Sequence, residues 1–137
     1  MKKLILHVVF PILVGSMIYI LLREKKLLMF KWFEFFNLDF IIDFMRDICY
    51  KYRKIIPKSL LFSLPDALWV YSFTMFLSFY FKNKIILSLI FVGSMITEIF
   101  QIWFVVGTFD IYDLIYMFIF YIISIYFIKK YEEEKKL

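Results

Sequence analysis

Long apolar runs, each followed by a short charged or turn-forming stretch, set the plan of this chain. Residues 4–22 follow Lys2 and Lys3 and are apolar apart from His7, Pro11, Gly15 and Ser16. Three further runs cover about 59–81, 85–106 and 111–128. Each is close to the ~20 residues a helix needs to cross a hydrocarbon core of ~30 Å. The pattern predicts an all-α membrane protein with four transmembrane helices, in one integral membrane domain over residues 1–137. The first run has the flank of a secretory signal, but its apolar core is too long and no small-x-small cleavage site follows. It reads as a retained anchor.

The stretch between the first two runs is different. Lys31, Glu34, Asp39, Asp43, Asp47 and Lys51 recur mostly at three- or four-residue steps, with Phe33, Phe36, Phe40, Ile41, Phe44 and Ile48 between them. One face is charged and the other apolar, which predicts an interfacial amphipathic helical segment, about 27–56, between helices 1 and 2. Asn37 or Asp39 is placed to cap its second piece and Pro57 to end it. A charged stripe at this spacing is first of all a solvated face.

Composition agrees with the pattern. Hydrophobic residues make up 64% of the chain and mean hydropathy is +0.80, against roughly 45–50% apolar residues in a soluble domain. Nineteen Phe and ten Tyr, with only three Gly and three Pro, suit helices packed through bulky rings more than close Gly-rich crossings. Cys49 is the single cysteine, which excludes an internal disulfide, a thiol-ligated zinc and a CxxC redox motif. The net charge of +5 reflects topology signals and contact with anionic lipid headgroups; nucleic acid is not implied.

Charge also suggests an orientation. The Lys82-Asn83-Lys84 turn is basic, whereas residues 107–113 carry Asp110 and Asp113 and no basic residue. Short loops carry most weight in the positive-inside rule, so both termini are expected in the cytoplasm. The polar residues then converge on the outer end. Leu64-Pro65-Asp66 reads as a helix start, with Asp66 near the outer surface. Asp110 can cap the last helix and Asp113 falls in its first turn. Ser94, Glu98 and Gln101 share one helix face. At 1.5 Å per residue, Gln101 lies ~9 Å and Glu98 ~13 Å below the outer turn.

A carboxylate inside a span costs at least ~2.5 kcal/mol, so Glu98 is the most informative residue in the chain. Asp66, Glu98, Gln101, Asp110 and Asp113 form a candidate ligand-binding set. Three readings stay open: Glu98 bonds Tyr71, Thr74, Ser94 or Gln101 and holds the bundle together; the set binds a ligand or headgroup; or a buried Glu moves protons. His7 sits one turn from the opposite end and reads as an interfacial histidine outside this set. No serine-histidine pairing, phosphate loop or HExxH occurs, so neither an enzyme nor a metal or cofactor is expected.

The pattern Ser94-x-x-x-Glu98-x-x-Gln101, then Thr108-Phe109-Asp110-x-x-Asp113 before a last apolar helix, resembles the VanZ-like family of small bacterial membrane proteins. The resemblance covers about residues 63–128. Gly107 stands where that family commonly has an arginine, and Met117 and Phe120 where its last helix commonly has Asn and Gly. The resemblance implies a multi-pass protein of the bacterial cytoplasmic membrane with a cell-envelope role. Its ligand would be lipid-linked or glycopeptide-like, and its partners membrane lipids. Two alternatives are an accessory subunit of a larger membrane protein complex and a small ion or proton transporter.

Overall fold

The computed structural model of the chain describes residues 2–23, 28–104 and 110–134. These residues are almost all helical, with no strand among them. Helix α1 covers 2–22 and contains a π-helical stretch, Ile5–Val9. Two short helices follow, α2 (Leu28–Phe35) and α3 (Asp39–Cys49), then a 3-10 turn at Tyr50–Lys54. Three long helices complete the chain: α4 (Lys58–Ser78), α5 (Lys84–Phe104) and α6 (Ile111–Glu134). Among the described residues, three stretches are long and apolar enough to cross a membrane: Ile5–Leu22, Lys58–Ser78 and Ile111–Glu134. Their mean hydropathies are 2.4, 1.4 and 2.0, which mark a membrane protein.

Local sequence explains most boundaries. Asn83 Oδ1 accepts the Ile85 N–H at 2.9 Å and starts α5. Asp110 Oδ1 accepts the Tyr112 N–H at 3.0 Å, the expected cap of α6. Between α2 and α3, Asn37 does not cap the second piece but closes the first. It takes a φ of 54°, a left-handed conformation that asparagine tolerates. Leu38 N–H reaches Phe33 O and Asn37 N–H reaches Glu34 O, the paired bonds of a Schellman stop. Leu38 is then the N-cap of α3, with no side-chain cap bond, and Asp39 falls in its first turn.

Two prolines lie where a helix must adjust. Pro11 lacks an N–H, and its ring crowds the carbonyl four residues earlier, that of His7. The wider π turn occurs there, closed by Phe10 N–H to Ile5 O. Pro65 sits inside α4, which corrects the expectation that it opens a helix. That start is taken by Pro57, the N-cap of α4. Asp66 is therefore roughly 12 Å along the helix from Lys58 rather than at its tip.

Helix α4 is the centre of the bundle, with half of its apolar window buried. Its far end packs Tyr71 and Met75 against Val8 of α1 and Phe120, Phe127 and Tyr131 of α6. Residues later in α4 thus meet residues later in α6, so these helices run parallel. Antiparallel α1 brings Tyr19 to Trp69 and Val8 to Met75, and antiparallel α5 stacks Phe91 on Tyr121 at 5.2 Å. The tight contacts are not all aromatic: Ala67, Ser63, Ser72, Thr74 and Ser124 are wholly buried. A Cβ on Gly15 would lie 3.2 Å from Pro65 O and 3.1 Å from Trp69 Nε1. The expectation of a ring-packed bundle holds at the Tyr71 end and fails here, because backbones approach only where side chains are small.

Candidate functional site

Where α4, α5 and α6 meet, a cavity of about 240 Å³ is lined by Asp66, Trp69, Val70 and Phe73 from α4, Ser94, Thr97 and Glu98 from α5, and Met117 from α6. Each wall follows from helical spacing. Asp66, Val70 and Phe73 recur at steps of four and three, and Ser94 and Glu98 lie four apart, so each set occupies one face. Glu98 is only 7% exposed and Asp66 is half-buried. Phe73 and Thr97 are exposed and form the open side.

The hydroxyls in this region are already committed. Thr97 Oγ1 donates to Ser94 O at 2.7 Å, Ser94 Oγ to Ile90 O at 2.9 Å and Thr74 Oγ1 to Val70 O at 2.7 Å. Each has one proton to donate, so Ser94 and Thr97 offer the cavity only lone pairs. Tyr71 is engaged with His7. Of the groups considered as glue for Glu98, Thr74, Ser94 and Tyr71 are thus held elsewhere.

Asp113 lies one turn before Met117 on α6 and is buried, 6% exposed. Its charge and that of Asp66 repel, and Arg23 at the end of α1 attracts both. Ser63 Oγ, wholly buried, is near enough to act on the Asp113 carboxylate. Neither Ser63 Oγ nor Asp113 Oδ1, however, reaches a hydrogen-bond partner. Burying an unpaired polar atom costs ~1–3 kcal/mol. Asp110 is half-buried and is used as the α6 cap. Of Gln101 only the backbone is described, within α5; its side chain, and residues 105–109 with the Thr-Phe pair, lie outside the described residues. The structure thus brings Asp66, Glu98 and Asp113 to one region and places Asp110 at its edge.

Arg23, which lies between the first apolar run and the amphipathic segment and is not among the candidate residues, neighbours these acids. Its guanidinium lies 4.6 Å from the Tyr19 ring centroid and 5.0 Å from that of Phe62, positions that favour a cation and hold it beside α4. The signal was present: Arg23 is the first cation after the first span, on the side assigned to the acids. Among the described residues no group of three or more His, Cys, Asp or Glu side chains is arranged to hold a metal ion.

His7 is not an exposed interfacial residue. It is 6% exposed, with Nδ1 2.5 Å from Tyr71 Oη and Nε2 2.5 Å from Tyr131 Oη. The π turn and Pro11 direct it into the bundle, where it ties α1 to α4 and α6. Compared with protein-family models, curated proteins and solved structures, the chain finds no match.

Proposed function

We propose that this chain is a VanZ-like small integral protein of the bacterial cell envelope. In this reading it binds a lipid-linked or glycopeptide-like ligand at an outward-facing acidic site and does not act as an enzyme. The observation that carries the reading is the cavity bounded by Asp66 and Glu98, with buried Asp113 one turn away. Carboxylates held at this depth in apolar helices are costly, and they are retained where they meet a partner or ligand. Arg23 brings to these acids a positive charge where Gly107 cannot.

The reading includes α5 as a fourth span. Parallel α4 and α6 cannot both cross a bilayer unless the chain between them returns, and α5, 21 residues long, rises ~31 Å. Four spans put both termini on one side, which the basic Lys82-Asn83-Lys84 turn assigns to the cytoplasm in this reading, so the Asp66 end faces outward. A second reading, an accessory subunit of a larger membrane complex, is favoured by α2 and α3. These leave Phe35 and Phe40 80% and 81% exposed, more than lone surface rings require.

The test is purification in mild detergent, with mass spectrometry of the lipids and proteins that remain bound. Retention of an envelope lipid or lipid-linked precursor that falls at least tenfold in Glu98→Gln and Asp66→Asn, but not in Glu34→Ala, supports the binder. A stoichiometric protein partner that survives both pocket variants supports the subunit instead.

A further inference from the structure

Away from the acids, an apolar groove of about 250 Å³ lies between the last turns of α1 and the α2 and α3 pair. Met17, Ile20 and Leu21 of α1 form one wall. Phe33 of α2, Leu38 at the corner, and Ile41, Ile42 and Met45 of α3 form the other. Hydrogen bonds hold both walls in place. Arg46 donates to Ile20 O and Arg23 O, which fixes α3 against the end of α1. The left-handed Asn37 and the bond from Leu38 N–H to Phe33 O close the corner. These eight lining side chains carry no oxygen or nitrogen, so a polar occupant would give up water and find no partner among them.

The surface leading into the groove indicates what fills it. Phe10, Leu13 and Met17 lie at steps of three and four on one exposed face of α1, and 28% of the apolar window of this helix is buried. In a helix that crosses a bilayer such a face meets acyl chains. Met17 ends this stripe and is also a wall of the groove, so the groove continues the lipid-facing surface. It does so ~8 Å below the end of α1, inside the hydrocarbon and near its boundary with the headgroups. At about 250 Å³ it is smaller than the roughly 300–1,000 Å³ that encloses a drug-sized molecule. A length of one chain fits, and a headgroup stays outside. Met17 and Met45, on opposite walls, suit a flexible chain, since an unbranched thioether adapts to irregular neighbours.

We propose that this groove holds one acyl chain of a membrane lipid between α1 and the α2 and α3 pair. The described residues that line it do not overlap with those of the Asp66 and Glu98 cavity. The proposal needs α1 to cross the bilayer and does not rest on the binding reading above.

The test reconstitutes the full chain in phosphatidylcholine vesicles that contain a phosphatidylcholine with a photoactivatable diazirine in its acyl chain. Labelled peptides are mapped by mass spectrometry after irradiation, and lipid retained in mild detergent is measured by native mass spectrometry. Labelling should concentrate on residues 17–21 and 38–45 over the exposed apolar face of α6 at 115–122. Labelling and retention should both fall at least tenfold in Met17→Trp and Met45→Trp, which fill the groove, and not in Ile119→Trp, which puts the same ring on an exposed position of α6. If neither groove variant elutes as a folded monodisperse species, or no lipid survives extraction, the labelling pattern of the parent decides. Even labelling of α1 and α6 overturns the proposal, as does retention that the groove variants leave unchanged. A crosslinked second copy or a protein partner seated on the walls in place of lipid overturns it too, and marks the groove as a protein interface. Retention lost in Glu98→Gln and Asp66→Asn but kept in the groove variants removes the groove while the binding reading stands. Loss in the groove variants supports the groove whatever the acidic variants do.

Discussion

Arg46 shows how one side chain joins two parts of this molecule. It is buried, 6% exposed, and donates to Ile20 O and, at 2.7 Å, to Arg23 O. These carbonyls belong to the last turn of α1, where no helical N–H follows to satisfy them and where the helix dipole favours a cation. Burial draws the guanidinium below its ordinary pKa, with Tyr50 and Asp43 opposing that shift, and an arginine stays charged regardless. Arg46→Met should cost about 1–3 kcal/mol, read as a lower melting temperature in detergent. Lys54→Met, at an exposed position, should stay within about 0.5 kcal/mol of the parent. Equal shifts would show that Arg46 is not the anchor of α3 on α1. His7 makes a parallel case at the other end. His7→Phe keeps a ring but strands the Tyr71 and Tyr131 hydroxyls, and should also cost about 1–3 kcal/mol. Adding Tyr71→Phe should cost less than the sum of the single changes, with a coupling of about 0.5–3 kcal/mol in a double-mutant cycle. Strict additivity would mean the two rings do not bond.

Among the elements, α4 is decisive, because α1, α5 and α6 all pack on it. Its contact with α1 depends on Gly15, where an added methyl would meet the Pro65 carbonyl at 3.2 Å. A helix carbonyl has little freedom to retreat, so Gly15→Ala should destabilise by about 1–3 kcal/mol. Gly93, with nothing within 4 Å of its Cβ position, should tolerate alanine or gain up to about 1 kcal/mol from helix propensity. If both glycines accept alanine equally in thermal unfolding, the close crossing is not present. This contact was hard to foresee, because apolar runs show that helices exist but not which faces meet. The helices themselves were legible, as was Asp110 at the start of α6, since length and capping are local properties. Pro65 misled because it stands beside Asp66 in a good helix-opening dipeptide, while the earlier Pro57 already opens α4. Glu98 and Asp66 could be singled out by their cost in an apolar run. Arg23 and His7 could not be given partners, because those partners, Asp113, Tyr71 and Tyr131, lie far along the chain.

For the whole molecule, the order of helices and the distribution of rings bear on one question, which end faces out. Exposed aromatic residues gather at both ends of the bundle. Trp32, Phe36 and Tyr112, at 61%, 66% and 52%, lie at the end where α4 starts, and Tyr80 and Tyr126, at 70% and 63%, where it finishes. Rings at two levels match the belts that anchor a protein at both membrane surfaces. Lys82 and Lys84 lie beside the second belt, whereas Asp110 and Asp113 lie beside the first. With Cys49→Ser as background, an impermeant thiol reagent should label Asn83→Cys only from the cytoplasmic side and Thr108→Cys only from outside. Labelling of both from one side would remove α5 as a span and leave parallel α4 and α6 unable to cross together. Exchanged labelling would keep four spans but turn the Asp66 and Glu98 cavity toward the inner leaflet. In that case its ligand would have to come from the cytoplasm or the inner leaflet rather than from the outer envelope.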